Sequence, residues 1–437
     1  MSSMLLILPS IAAGQAVPTA VVPVSSVGGS PIVPNLDGEL HYAVSGSQIV
    51  QLGYYGSGEV TSSTALSGDL AYTAKSTTRP FSLIFAGGVL LPNQSGQGTS
   101  SFWNVAASQG YTARHWIFNV SDSFSFLPQS PTTGLSGIPG VGDLGSIPVQ
   151  GPVEGPAGGI LTVAGNRVQN TLSGSVERQI SHATSISGSG SWSILNFLDS
   201  KLSQLDSTSV SGSVALNQRF DARSSGSIDA VYSTFTYSGN VIIAGIVQPD
   251  IETRGLNASY QRLLTKSLSV QFSAGPLWIN SSNDLITPPS LNVGATANLG
   301  YSRGFTNASV NYSRGVNGGS GVLSGALSDS VYASIGHTYG RQYVASLTMG
   351  YSHSSGLAQL PTGTNSFVPV NRIYDTFFGG AQLRRAFGPH LSGYVSYTVQ
   401  SQSDNLPVGA PYAVDGTSHT FGIGVTFTPR STRLGQF

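Results

Sequence analysis

From about residue 38 to 428 the chain keeps one texture: apolar and polar residues alternate strictly over ten or more positions, and then a breaker interrupts. In 343–352, Tyr343, Ala345, Leu347, Met349 and Tyr351 alternate with Val344, Ser346, Thr348, Gly350 and Ser352. In 291–302, Leu291, Val293, Ala295, Ala297, Leu299 and Tyr301 alternate with Asn292, Gly294, Thr296, Asn298, Gly300 and Ser302. In 419–428, Phe421, Ile423, Val425 and Phe427 alternate with glycines and threonines. A period of two means β-strand, one face apolar and one polar. Ala, Gly and Ser are poor strand formers, so pattern rather than propensity sets these elements.

The breakers come in two kinds. Short ones share a look: Glu177-Arg-Gln-Ile-Ser-His182, Gln218-Arg-Phe-Asp-Ala-Arg223, Gln261-Arg-Leu-Leu-Thr-Lys266, Ser302-Arg-Gly-Phe-Thr306, Tyr339-Gly-Arg341 and Arg384-Arg-Ala-Phe-Gly-Pro389. Their arginines at 178, 219, 262, 303, 341 and 384 are spaced 41, 43, 41, 38 and 43 apart, an internal repeat in which each unit is a hairpin. Arg79 and Arg114 mark two earlier members. Long breakers lie between them. Alternating short and long connections gather all the short turns at one end of the strands. Eight short and nine long connections imply roughly 18 strands, an even number as expected for a bacterial outer-membrane barrel.

Alternation alone would also suit a soluble sandwich. Strand length tilts the choice, because spans of about 11–13 residues exceed the soluble mean of roughly 5–6 and suffice to cross a bilayer at a tilt. The polar face is also nearly uncharged: residues 185, 187, 189, 191 and 193 are all Ser. The lumen-facing candidates are Ser187, Ser189, Ser191, Asn292, Thr296, Asn298, Ser346 and Thr348. Aromatics gather near strand ends. Tyr111, Tyr260, Tyr301 and Tyr339 fall beside short turns, and Trp192, Tyr237, Trp278, Tyr312 and Tyr351 fall near long loops, as two interfacial girdles would.

The fold class expected is therefore all-β: a single closed antiparallel transmembrane barrel over 38–429, with short periplasmic turns and long extracellular loops. The pattern resembles porin-like outer-membrane barrel proteins of Gram-negative bacteria. Its hairpin repeat and the Pro/Gly-rich stretch from Ser130 to Gly140 resemble large barrels of Acidobacteria-type bacteria. This architectural resemblance implies a location and a fold, and no particular substrate.

Composition agrees. Only 9% of the 437 residues are charged, the net charge is zero and there is no Cys. A nucleic-acid partner would normally call for a clearly basic face, and a net charge of zero does not suggest one. Without cysteines the fold uses no disulfide and no thiolate metal site. The apolar run from Met4 to Ala13 is too short to span and has the length of a signal-peptide core. With Gly14-Gln15-Ala16 as cleavage site, 1–16 reads as an export signal, although Met1-Ser-Ser carries no positive charge and suggests a start further upstream. Residues 17–37 read as a Pro/Gly/Ser-rich linker, and 430–437 as a C-terminal overhang. The insert 127–166 holds six prolines and many glycines, a long loop that would either constrict the lumen or ride on the surface.

Charges sort by side. Basic residues such as Arg178, Arg219, Arg262, Arg303 and Arg384 crowd the short turns, while Glu59, Asp143, Glu154, Asp250, Asp284 and Asp415 belong to the long-loop side. An acidic mouth would favour cations over anions by a modest, screened field. No phosphate loop, dinucleotide fingerprint or metalloprotease pair occurs, and the seven His are scattered. No catalytic residue, cofactor or metal is expected. The function expected is passage of small polar, neutral or weakly cationic solutes, with membrane lipid, the barrel-assembly machinery, the solute and a homo-oligomeric copy as partners. The alternatives are an export component, for instance for surface polysaccharide, and a structural or adhesion barrel without an open pore.

Overall fold

The computed structural model describes residues 38–53, 60–74, 76, 78–93, 99–129, 165–200, 203, 206–237, 242–243, 246–247, 249–317, 325–340, 342–363, 366–369, 373–405, 416–429 and 432–434. The expected signal (1–16) and linker (17–37) lie outside the described residues, as does the insert from 130 to 164.

Eighteen long strands form the wall. They are β1 (Gly38–Leu52), β2 (Val60–Thr73), β3 (Phe81–Pro92), β4 (Ser100–Ala113), β5 (Trp116–Gln129), β6 (Gly165–Gln179), β7 (Thr184–Phe197), β8 (Ser207–Arg219) and β9 (Ser224–Tyr237). Two-residue strands β10 (Ile242–Ile243) and β11 (Ile246–Val247) pair in the next loop. The wall continues with β12 (Ile251–Leu263), β13 (Leu268–Ser281), β14 (Ser290–Arg303), β15 (Thr306–Asn317), β16 (Ala326–Tyr339) and β17 (Tyr343–Gly356). A loop hairpin of β18 (Gln359–Gly363) and β19 (Ser366–Pro369) intervenes before β20 (Ile373–Ala386), β21 (Leu391–Asp404) and β22 (Gly416–Phe427). A short β23 (Thr432–Leu434) follows.

Each wall strand pairs antiparallel with its neighbours, and β22 pairs back onto β1 from Val44↔Phe427 to Leu52↔His419. The eighteen-stranded sheet is therefore closed, and each wall strand has neighbours on both sides without a partner chain. Strand β23 continues this seam along Gly38–Leu40, so part of the 430–437 overhang is tied to the wall. The insert 127–166 also gives up its ends: β5 runs to Gln129 and β6 begins at Gly165.

The short turns repeat one chemistry. The N–H groups of Ile180, Phe220, Leu264 and Phe387 donate to the carbonyls of Thr184, Ser224, Leu268 and Leu391, each four residues on. At the position after the apolar residue, Ser181, Asp221 and Thr265 accept backbone N–H groups from two residues further along. Such local side-chain acceptors make a turn cheaper than a continued strand. The recurring breaker of the sequence, an Arg one or two residues before an apolar residue that Ser, Asp or Thr follows at 181, 221 and 265, is this turn. The 304–305 turn uses Gly304 at φ 58° instead, a conformation that glycine tolerates best.

Alternation sorts the two faces. Outward residues are large and apolar, such as Val214, Leu291, Val293, Ile228 and Ile423, all more than half exposed. Inward residues are small and polar, such as Ser47, Ser67, Thr253, Ser273, Thr348 and Thr426, all buried. One ladder is interrupted: β12 and β13 pair at Gly255↔Leu277 and next at Ala258↔Ala274. Pro276 has no N–H to give there, and Gly275 admits the carbonyl of Leu256 where any Cβ would overlap it.

Candidate functional site

The inner wall is the candidate site, and its chemistry is set by opposed hydroxyls. Antiparallel register places inward side chains directly across from one another. Ser189 meets Ser213 at 2.7 Å, Ser191 meets Ser211 at 2.7 Å, and Ser121 meets Ser173 at 2.6 Å. The same pairing joins Ser45 to Ser67, Ser82 to Ser108, Thr171 to Ser193, Ser227 to Ser259, Ser309 to Ser334 and Ser328 to Ser354. Asn217 reaches Ser187 at 3.0 Å, and Asn298 bonds Asn311 across β14 and β15. Each pair uses one donor and leaves further acceptor capacity, so the wall is polar without carrying charge.

The sequence-derived lumen candidates fall on this face by alternation. Ser187, Ser189 and Ser191 line β7, Asn292, Thr296 and Asn298 line β14, and Ser346 and Thr348 line β17. Thr348 is the most enclosed, with its hydroxyl toward the Gly380 carbonyl. Of the girdle candidates, Trp192, Trp278, Tyr351, Tyr111, Tyr301 and Tyr339 are exposed on the outer face, and Tyr260 and Tyr312 share it half-buried. Tyr260 lies between Phe220 and Phe272, at 6.4 and 5.6 Å between ring centroids. Tyr237 follows the inward parity of Asp229 and Ser233, so it joins the lumen side of β9.

Few charges reach the inner wall. Asp229 is buried and accepts from Asn257 Nδ2 at 3.0 Å. Asp69 is buried on β2. Arg384 donates to Ser392 at 3.1 Å, and Glu39 sits 3.4 Å from His41 near the short-turn end. Arg167 is buried on β6 beside the long loops. These are scattered singly, and no continuous basic track runs along the lumen among the described residues.

Two inward features escape the alternation. First, aromatic rings fill the space that a Cβ would take on glycines of the next strand: Phe378 at Gly350, Tyr394 at Gly424 and Phe102 at Gly88. Phe378 also stacks on Tyr332 at 5.9 Å. Second, the tips of β15 and β16 leave the wall. Pairing of β14 with β15 starts only at Ala295↔Arg314, which leaves 290–294 without a β15 partner. Val316 and Leu327 instead pack in one buried cluster with Ile251 and Ile279, which are inward residues of β12 and β13, and with Leu277 and Phe235 beside them. Leu357 N–H donates to the Gly325 carbonyl at 3.1 Å, and Gln359 N–H donates to Ile286 at 2.6 Å. Three long connections are thus knitted together against the inner face at the mouth. A sequence signal existed: Leu277-Trp278-Ile279 is apolar on both parities, as a strand covered on both faces must be.

On the outer face, guanidinium groups lie over girdle rings at the short-turn rim. Arg79 is 5.6 Å from the Tyr111 ring, Arg178 is 5.2 Å from Trp116, and Arg385 is 5.2 Å from Tyr343. At the long-loop rim, Arg314, Asp329, His353 and Asp375 form a single outward row across four strands. Arg314 bonds Asp329 at 2.8 Å, and His353 bonds Asp375 at 2.7 Å. Tyr312 and Tyr351 donate to those two carboxylates from the girdle beneath.

No protein-family model and no curated protein matches the chain. Among solved structures, the outer-membrane protein OpdK of Pseudomonas aeruginosa is similar over 91% of this chain and 99% of its own, at 10% identity and a TM-score of 0.44. OccK2 (OpdF) of the same organism, solved with glucuronate, is similar over 90% and 99% at 10% identity and a TM-score of 0.44. OccAB4 of Acinetobacter baumannii is similar over 91% and 98% at 8% identity and a TM-score of 0.42. At these scores the likeness adds no weight to the reading of the wall, which stands on its own residues.

Proposed function

We propose that this chain is an outer-membrane channel that passes small polar solutes, neutral or weakly cationic. The observation that carries the reading is the contrast between the faces of one closed sheet. Outside, an apolar band, interrupted at mid-depth by Asp122 and Asn170, is bounded by aromatic and charged rims, which suits hydrocarbon and headgroups. Inside, opposed hydroxyls and amides offer a solute replacement for its water without binding it through charge. Asp229 and Asp69 on the wall are offset by Arg167 and Arg384, so a mild preference for cations comes from the acidic long-loop side read in the sequence. Membrane lipid and the barrel-assembly machinery are the partners that such a barrel requires. The inward-packed tips of β15 and β16 favour a second reading, a barrel whose mouth is kept closed.

Swelling of proteoliposomes tests the proposal. Vesicles carrying the chain are expected to take up a neutral monosaccharide severalfold faster than a sugar acid of the same size. Equal or faster entry of the acid would refute the neutral-wall account. No swelling above empty vesicles would favour the closed barrel.

A further inference from the structure

Charged residues on the outer face keep to the two rims, with one exception among the described residues. At the short-turn rim, Arg178, Arg262 and Arg385 are each one residue from the end of their strand, and Arg303 ends its own. At the other rim stand the Arg314 row and the Glu252–Arg254 pair, which is closed at 2.6 Å. Asp122 is the exception: it lies six residues above the start of the 14-residue strand β5, at mid-depth. Alternation turns it outward with Phe118 and Val120, and its register partners are Ala107 and Leu172. Val120 and Leu172 are 53% and 44% exposed. The one hydrogen bond described for its carboxylate comes from Asn170 Nδ2 at 2.8 Å, and Asn170 also faces outward.

A carboxylate at this depth is disfavoured against hydrocarbon, and ionisable groups at membrane depth occur where something other than lipid covers them. The wall does not need it. The Asp122–Asn170 bond joins neighbouring strands that are already laddered along their whole length. The patch is also self-complementary: Asp122 has a second carboxylate oxygen, and Asn170 Nδ2, which also reaches the Ser123 carbonyl at 3.2 Å, can exchange that longer neutral bond for one to a second carboxylate. Two copies related by an axis along the membrane normal present the same patch at the same depth, so each amide would meet the other's carboxylate. Around this polar centre sit Trp103 and Phe126, rings held edge-on at 6.1 Å, of the residue types that anchor interfaces.

We infer that the outer face of β4–β6 around Asp122 and Asn170 is the contact surface for a second copy of this chain in the membrane. The inference rests on the membrane-barrel reading above, and cell fractionation separates the two. Absence of the chain from the outer membrane would overturn both.

The lack of native Cys makes the test clean. Single Val120→Cys and Leu172→Cys variants, oxidised in intact outer membranes, are expected to give a covalent species of twice the chain mass. Val310→Cys, exposed on the far wall on β15, is expected to give none. Purified full-length chain should run in native mass spectrometry as a multimer, and the Asp122→Leu/Asn170→Leu double variant as a folded monomer. A monomeric wild type with no patch-specific cross-link would overturn the inference. So would a cross-link to a different protein, or a double variant that stays multimeric. Should the double variant fail to fold, the cysteine variants, which retain Asp122, decide alone.

Discussion

Asp221 shows how much one turn residue can carry. Its carboxylate accepts the Arg223 N–H at 2.5 Å and the Ser224 N–H at 2.8 Å. Hydrogen bonding from the Ser224 side chain, then from the Arg223 backbone, holds its pKa below the usual carboxylate range. A depressed folded pKa means stability that is present above the unfolded value and lost as pH falls through the folded one. Asp221→Asn keeps an acceptor and removes the charge, so melting of the purified barrel should lose part of its acid sensitivity while its neutral-pH melting point moves little. An unchanged acid profile would contradict this role. Gly275 makes the opposite demand, for nothing at all: a Cβ would overlap the Leu256 carbonyl oxygen, a backbone atom that cannot swing away. Gly275→Ala should cost on the order of 1–3 kcal/mol, as overpacking does, and lower the temperature at which the barrel loses SDS resistance. Gly315→Ala, with open space at its Cβ, should not. Neither effect could be read from composition. The Arg-anchored breaker repeat marked where turns fall, but why Asp suits 221 appears only when its carboxylate meets the chain two residues on.

At the scale of elements, the strands were legible because period two needs only neighbours in sequence. The eighteen wall strands run 12 to 15 residues, somewhat beyond the spans the alternation suggested, because they rise past the girdles into the long-loop rim. The tips of β15 and β16 were not legible. Residues 314–325 look like a polar loop, and the contact that matters joins Val316 to Ile251 and Ile279, far away in sequence. Tyr237 was misleading for a simpler reason: proximity to a loop says nothing about parity, and its strand places it inward. The packed tips bear on transport. Val316→Ser with Leu327→Ser removes two apolar contacts from the mouth cluster, and large-to-small changes in such clusters typically cost about 2–5 kcal/mol for a full truncation to Ala. The double variant should release the tips and raise single-channel conductance. Unchanged conductance would mean that the tips do not limit the path.

For the whole molecule, closure is the main stabilising device. A chain with no Cys and 55 glycines has little else to fix its shape, yet the closed ladder gives each of the eighteen wall strands a partner on both sides. The same closure separates an apolar outside from a hydroxyl-lined inside, and that separation is the basis for reading the barrel as a channel. The wall's character was already visible in Ser185 to Ser193, five serines on one parity. What the sequence could not show is that these hydroxyls face partners such as Ser211 and Ser213 and bond them, which makes the lining a neutral lattice rather than a set of lone donors. The single-channel current of the purified chain in a planar bilayer under a salt gradient tests this most directly. A stable conductance whose reversal potential shows a mild cation preference, shrinking as ionic strength rises, is the expected result. A clear anion preference, or no current above the bare bilayer, would contradict the account.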